Sequence, residues 1–461
     1  MRVLHAIHDF LPRHQAGSEL YADALCRALQ ARGHHLHVLA ATYDRSRRHG
    51  TLVWRAHDGL PVTEVVNNWQ FASFAESYRY AAVGRALAQV LDAVEPEVLH
   101  IHNLLNLSFD LPALARARGI PSAATLHDYT LVCPSGGQRV HLAAEHVCHT
   151  IDADRCSRCF VESPFHAQMA YARLVPRSPR VEHLAHVLRR RLPRLFEGAR
   201  QVASRATGPR VTPTDIERRL ADARRVLGGI DLLVAPSRSL ADEMVRLGAP
   251  AERLEVSDYG FPPLPPLPAV PRRADGYGEP LRLGYVGTLV WHKGIHVLLE
   301  ALRLLDGERL ELEVHGDPDT FPAYAERLRA ASAALPVRFL GRFESDRRAE
   351  VYARLDVLVV PSLWPENSPL VVHEAFQAGL PVVAARMGGI AELVADGRSG
   401  LLYDATSAAD LARCLRSLLH DRTLLARLAR DVPPLKSIGE DAAAWEGRYR
   451  SLLARAAGTG R

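Results

Sequence analysis

The sequence predicts an α/β protein made of two doubly wound domains, each a parallel sheet covered by helices on both faces, with a ligand cleft between them. Three observations predict it. The chain has 461 residues, 48% apolar and 24% charged, roughly two to three times a usual domain length. Short β-branched or leucine-rich runs alternate with longer helical patterns, the mark of successive β-α-β units. A proline-rich stretch, Gly260-Phe261-Pro262-Pro263-Leu264-Pro265-Pro266-Leu267-Pro268, interrupts that alternation and reads as a stiff spacer between domains.

In the first domain, residues 1–260, strands are expected near 2–8, 34–41, 97–102, 121–127 and 232–236. The first unit shows the reasoning. Its strand ends at Asp9, a loop with Ala16-Gly17-Ser18-Glu19 follows, and Leu20, Ala24, Leu25, Ala28 and Leu29 recur at helical spacing until Gly33 stops the helix. The second domain, residues 275–435, repeats the pattern with strands near 281–286, 310–314, 337–340, 357–360 and 381–384. A terminal amphipathic helix over 438–458, carrying Trp445, Tyr449, Leu452 and Leu453, is expected to pack back on the first domain. In open parallel sheets ligands bind beyond the carboxyl ends of the strands, which is why the site is expected where the two sheets face each other.

Residues 160–229 break the pattern, being helical, strand-poor and basic, with 14 arginines against 6 acidic residues. Leu184, Leu188, Leu192, Leu195 and Phe196 recur beside Arg189, Arg190, Arg191 and Arg194, and Pro193 divides that helix. Two readings fit: an arm touching an anionic membrane or a lipid-linked acceptor, or an ordinary helical pair with a solvated arginine face.

Composition excludes a disordered chain or a single small module. The opening Met1-Arg2-Val3-Leu4-His5-Ala6-Ile7 is too short for a signal peptide, and no window reaches the roughly 18 uncharged apolar residues of a membrane span. The expected location is therefore cytoplasmic, with peripheral contact at the inner face of the membrane open to it. The net charge of +5 is mild, yet Lys293 and Lys436 are the only lysines among 57 basic residues. A lysine in a glycine-flanked loop stands out against that background.

Lys293 follows the strand that ends Tyr285-Val286-Gly287 and precedes Gly294 and an apolar-periodic helix (Ile295, Leu298, Leu299, Leu302). An ammonium beside a helix N-terminus favours an anion such as a diphosphate; the plain alternative is an exposed lysine ending a loop. The next strand-to-helix turn, from Val359 to Glu374, carries two carboxylates eight positions apart, Glu366 and Glu374. Ser368 reads as the N-cap and Pro369 as the first helical residue, so the free amides of Leu370 and Val371 point out of the helix mouth toward a phosphate. Glu374 lies one turn above Leu370 on the same side and leans back toward that mouth. Its plain alternative is a glutamate on a solvated face.

These residues give the chain a resemblance, over nearly its whole length, to the GT-B fold retaining glycosyltransferases of family 4. Glu366 and Glu374 match that family's Glu-x7-Glu motif and Lys293-Gly294 its Lys-Gly loop. Ala378-Gly379-Leu380-Pro381-Val382-Val383 and Gly388-Gly389-Ile390-Ala391-Glu392-Leu393-Val394 also resemble it, as do Ala16-Gly17-Ser18-Glu19 and His127-Asp128 in the first domain. The resemblance implies a nucleotide-diphosphate sugar as donor, with Glu374 on its ribose, Lys293 on its diphosphate, Glu366 and His127 on its sugar, and Gly17 allowing close approach to the phosphates. Glu366 and His127 are thereby the expected catalytic residues, and no metal is expected to be needed for catalysis. Two positions depart from the family pattern: Thr288 stands where an arginine is usual, with His292 as a partial substitute, and Ala16 replaces the first glycine of its loop.

His100, His102 and Asn103 end a strand on the ligand edge, where His102 and Asn103 either touch the acceptor or are satisfied polar groups. Cys133, Cys148, Cys156 and Cys159 crowd within 27 residues. Cys-x2-Cys with two further cysteines suggests structural zinc; unliganded thiols and a redox pair are the alternatives, and His141, His146 and His149 are rival ligands. The functional expectation is sugar transfer to a glycan or lipid-linked acceptor in surface polysaccharide or glycoconjugate synthesis. The rivals are a nucleotide-sugar epimerase or a phosphorylase on the same plan, and a zinc-bearing nucleic-acid adaptor. No nucleic-acid partner is expected.

Overall fold

The computed structural model describes residues 1–174, 208–263 and 279–458. The stripe from Leu184 to Phe196 with its arginines, and the spacer from Leu264 onward, lie outside the described residues. The chain divides into two compact units: Met1–Pro236 with Ala241–Gly260 and Ile438–Arg461, and Ser237–Leu240 with Phe261–Ser437.

The first unit holds β1 (Arg2–Ala6), β2 (His35–Thr42), β3 (Leu52–His57), β4 (Leu60–Val66), β5 (Val98–Ile101), β6 (Ser122–Thr125), the short pair β7 (Val140–His141) and β8 (His146–Val147), β9 (Leu232–Ala235) and β10 (Leu254–Val256). Its main sheet runs β10-β9-β6-β5-β1-β2-β4-β3, parallel except for β3. The β3–β4 hairpin is absent from the sequence-based expectation, although Asp58-Gly59 between the strands is a strong hairpin signal. Both residues take the positive φ that such a turn requires.

The Gly17–Ala31 helix buries Tyr21, Ala22, Leu25, Cys26 and Leu29 together with Glu19. Leu20, Ala24 and Ala28, expected inside, are only half-buried. The buried face is turned because the C-terminal helix, Ile438–Gly458, packs on this one. Tyr21 OH donates to Asp441 Oδ2 at 2.8 Å and accepts from Trp445 Nε1 at 3.1 Å. Tyr449 OH meets His100 Nδ1 at 2.6 Å.

The second unit is one parallel sheet, with β11 (Leu281–Val286), β12 (Leu310–His315), β13 (Val337–Phe339), β14 (Val357–Val360), β15 (Val382–Ala385) and β16 (Gly400–Tyr403). Its order is β13-β12-β11-β14-β15-β16, the dinucleotide-fold order counted from β11. Both faces are buried, which is why the strands read as unbroken apolar runs. Val357, Val359, Val383 and Ala385 join the core on one face, and Leu358, Val360, Val382 and Ala384 join the other.

Trp445 is 1% exposed, so Trp445→Ala removes a large packed side chain and leaves Tyr21 OH without its indole donor. The expected loss is about 3–5 kcal/mol, read from urea unfolding of the full chain; a loss under about 1 kcal/mol would mean that the terminal helix contributes little to the first unit.

Candidate functional site

In the second unit, the chain leaves β11 toward β12 on one side, while β14 pairs with the other edge of β11. The loops after β11 and β14 therefore part at the carboxyl edge of the sheet and open a crevice, the usual ligand position in such sheets. One loop carries Lys293, the other Glu366.

Backbone packing brings them together. Gly294 takes φ +73, and a Cβ there would run into the Pro361 carbonyl oxygen. Leu363 N donates to His292 O at 2.8 Å, tying the loops directly. On the far side Gly389 N donates to Glu366 O at 2.7 Å, and a Cβ on Gly389 would collide with the Asn367 carbonyl oxygen. The Lys293-Gly294 and Gly388-Gly389 motifs thus share a mechanical role: they let backbone press against the Glu366 loop from two directions.

Lys293 Nζ donates to Glu366 Oε2 at 2.8 Å, and the Ser362 hydroxyl donates to the other oxygen of the same carboxylate. The ammonium lies 5.7 Å from the Trp364 ring centroid, within range of a cation–π attraction. Glu366 is buried while Lys293 keeps 24% of its side chain exposed. Two residues expected to touch different parts of a ligand are thus paired with each other.

The helix after this loop runs Leu370–Gln377 with Pro369, not Ser368, at the N-cap position. Ser368 Oγ bonds to His373 Nε2 at 2.8 Å, and no side chain caps the helix. The shift leaves Leu370 and Val371 as the first two helical residues, whose amides have no partner within the helix. Glu374 lies one turn on. Its carboxylate accepts from Tyr352 OH at 2.8 Å and pairs with Arg348 Nε at 3.2 Å, so it is not the solvated-face glutamate of the plain reading. Burial pushes its carboxyl group up, while Arg348 and Tyr352 pull it back. Arg348, Tyr352 and Ser362 escaped the sequence reading, because nothing in their spacing relative to Glu366 and Glu374 marks them.

His292 does not replace the arginine that Thr288 displaces. Its ring is 1% exposed, neither nitrogen has a hydrogen-bond partner among the described residues, and burial followed by the Lys293 charge lowers its pKa to about 3. It is neutral near pH 7.

In the first unit the corresponding switch falls between β1 and β5. Gly17 opens the helix after β1 with Ala16 as its N-cap. Glu19, fully buried, lies 3.2 Å from His8 Nε2 and 3.3 Å from His14 Nδ1. After β5, His102 and Asn103 turn inward. His102 Nδ1 meets His127 Nε2 at 3.0 Å and its Nε2 meets His5 Nδ1 at 3.0 Å. The Asn103 amide donates to Asp128 Oδ2 at 3.1 Å and its carbonyl accepts from Leu105 N at 2.8 Å. His127 Nδ1 meets Tyr259 OH at 2.8 Å. His102, Asn103, His127 and Asp128 line a small pocket of about 30 Å³, room for roughly one water. His102 and Asn103 are buried polar groups with partners inside the protein, and their hydrogen bonds reach His127 and Asp128.

The chain resembles known proteins in the same two regions. Residues 272–432 match the family described as glycosyl transferases group 1, and residues 16–181 the family described as glycosyltransferase family 4. A D-inositol 3-phosphate glycosyltransferase of Streptomyces bingchenggensis is 35% identical over 233 residues, 46% of this chain and 50% of the relative. A sulfoquinovosyl transferase of Arabidopsis thaliana is 30% identical over 214 residues, 44% of this chain and 41% of the relative. The chain spans about half the length of the curated relatives it matches. Among solved structures, sucrose-phosphate synthase from Thermosynechococcus elongatus has a TM-score of 0.62 at 17% identity, covering 98% of this chain and 99% of that one. Anabaena HepE in complex with UDP-glucose has a TM-score of 0.57 at 18% identity, covering 100% and 99%. At these identities the likeness to solved structures carries the fold alone.

The histidine cluster makes stability depend on pH. Burial lowers His5 and His127 to about 3 and puts His100 and His102 well below the ordinary imidazole value. The unfolded chain takes up protons below about pH 6.5 while these folded groups stay neutral, so the stabilisation is present above that pH and is lost as pH falls toward the folded pKa values. Each histidine contributes a slope of up to about 1.4 kcal/mol per pH unit. Urea titrations should show stability falling steeply from pH 6.5 to 5; a flat profile would mean that the cluster is charged or solvated.

Proposed function

We propose, from the premise that this chain belongs to the GT-B fold glycosyltransferases of family 4, that it transfers a sugar from a nucleotide-diphosphate donor held by the second unit. The observation that carries the reading is the Lys293–Glu366 pair at the β11/β14 crevice, beside the helix mouth at Leu370 and Val371. That place combines an ammonium, two free amides and a helix dipole, which together favour a diphosphate. Glu374, one turn up, is the residue this reading assigns to the ribose hydroxyls. Support also comes from the relatives, which are named as a D-inositol 3-phosphate glycosyltransferase and a sulfoquinovosyl transferase, and from HepE, whose structure contains UDP-glucose.

The finer reading is transfer with retention. As the donor bond stretches, negative charge grows on the leaving diphosphate, and Lys293 with the Leu370 and Val371 amides offsets it. For that to happen Lys293 must exchange its bond to Glu366 for one to phosphate, which frees the Glu366 carboxylate to accept from a sugar hydroxyl. Ser362 keeps that carboxylate oriented during the exchange. His127, held by Tyr259 and His102, is the candidate sugar contact in the first unit. Attack on the same face as departure needs no protein nucleophile, and the lysine and helix supply the positive field that a divalent ion supplies elsewhere. A glycan or lipid-linked acceptor, in surface polysaccharide or glycoconjugate synthesis, is the narrowest form of this reading. The cytoplasmic placement belongs to it as well; none of the described helices is long and apolar enough to cross a membrane.

A thermal-shift screen against UDP-, GDP-, ADP- and dTDP-sugars identifies the donor, since ligand at about 100 times Kd adds roughly 2.7 kcal/mol of stability. With that donor, acceptor-dependent release of free nucleoside diphosphate separates transfer from epimerisation and phosphorolysis. The product is expected to keep the donor's anomeric configuration by NMR, and short assays in EDTA are expected to keep most of the initial rate. An inverted product, or a strict magnesium requirement, contradicts the corresponding clause.

Substitutions separate the roles. Lys293→Ala should weaken binding of the bare nucleoside diphosphate by about tenfold or more, the scale of one charge-assisted contact. Glu374→Ala should weaken the nucleoside as well. Glu366→Gln should do the reverse for the diphosphate, tightening it severalfold because the lysine loses its competing carboxylate, while kcat falls. Calorimetric titration showing weaker diphosphate binding in Glu366→Gln would refute the exchange of partners.

A further inference from the structure

We propose that Cys133, Cys148, Cys156 and Cys159 of the first unit form a structural zinc site. The inference is independent of the reading of the donor site. Three separate pieces of chain deliver these residues. Cys133 ends the turn that starts at His127-Asp128, its amide donating to Tyr129 O at 2.7 Å. Cys148 follows β8, its amide donating to Arg139 O at 2.8 Å. Cys156 and Cys159 lie one turn apart on the Ala153–Glu162 helix. All four are half-buried, all are free thiols, and all line one pocket with Arg139, Val140 and Arg155.

The chemistry around the pocket fits a tetrahedral thiolate site better than its alternatives. Of the three rival histidines, His141 is engaged with Glu162 at 2.7 Å and His146 with Arg155 at 2.9 Å, while His149 is exposed and does not line the pocket. Four thiols lose four protons on binding Zn²⁺, leaving a site of net charge −2. Arg139 and Arg155 lie against that charge. Arg139 pairs with Glu243 and donates to His149 O, yet its Nε–H is buried with no partner. A thiolate sulfur in this pocket is the acceptor such a donor lacks, the arrangement expected around a ligating cysteine.

Among the described residues, ligand atoms lie within 4.8 Å of one another in two histidine groups, His5-His100-His102 and His8-His14-Glu19, and not in the cysteine cluster. The first is mostly engaged in hydrogen bonds among its members and with Thr125, His127 and Tyr449, with His5 Nε2 left over. The second is a carboxylate paired with two imidazoles. The thiols ring their pocket more openly, so binding draws them in, since Zn–S bonds of about 2.3 Å put thiolates about 3.8 Å apart. The segment needs such a fastening, because β7 and β8 have two residues each. Its turn is otherwise held by Arg219, which donates to the carbonyls of Thr130 and Leu131. A metal at Cys133 therefore fixes the same turn that presents His127 and Asp128.

The test uses the full chain, expressed with added zinc and purified under reducing conditions. Elemental analysis should give about one zinc per chain. Replacement by cobalt should give the intense visible and thiolate charge-transfer bands of tetrahedral sulfur coordination. Cys156→Ser/Cys159→Ser should lose both the metal and the bands, whereas His141→Gln should keep them. If the double variant does not fold, mercurial titration of the unsubstituted protein still decides, since modification of these thiols must release the zinc in step. Absence of zinc together with failure of the reduced protein to bind cobalt would overturn the proposal. So would metal retained by the double variant, or a disulfide among the four cysteines of protein kept anaerobic.

Discussion

The second unit is organised around one ion pair, Lys293 with Glu366, and the backbone contacts that force it to form. The ammonium and carboxylate belong to loops that part company at the edge of the sheet, and they meet because Gly294 and Gly389 let those loops touch. A buried carboxylate left without a partner is costly, and an ion pair stripped from water returns little net stability. Such a pair is better suited to exchange than to permanent fastening. Glu366 has Ser362 as a second partner, and Lys293 is 24% exposed. An incoming phosphate offers the lysine a second anion without stranding the first.

The first unit follows the opposite rule. Its polar centre, from His5 through His102 and His127 to Tyr259, is a line of hydrogen bonds between groups that burial keeps neutral. Both nitrogens of His102 and His127 are occupied, so orientation rather than charge is what this cluster supplies. The C-terminal helix takes part in it through Tyr449 and Trp445. Residues more than 400 positions from Tyr21 thus help to set the geometry behind the β1 and β5 edges.

Much of this was legible in the sequence where one residue type has one physical reason. The strands that both sheet faces bury, such as Val357–Val360, show as apolar runs, and the turns carrying Lys293 and Glu366 are marked by glycine, proline and charge. The rest depends on tertiary contact. Nothing local says that Glu374 will meet Arg348 from another helix, or that Ser368 will bond to His373 and leave the cap to Pro369. His292 reads as a spare cation because the sequence does not show its depth. The β3–β4 hairpin is a different case, since Asp58-Gly59 announced it and the alternation of parallel units drew attention away.

The proposed function turns on Lys293 exchanging Glu366 for the donor's diphosphate. The chain has only two lysines, Lys293 and Lys436, so isotope labelling at lysine Cε yields a spectrum of two assignable side-chain signals. Titration with the nucleoside diphosphate of the cognate donor should move the Lys293 signal in proportion to site occupancy, with the same change in kind when Glu366 is replaced by glutamine. A diphosphate that binds fully while the Lys293 signal stays where it was would contradict the claim.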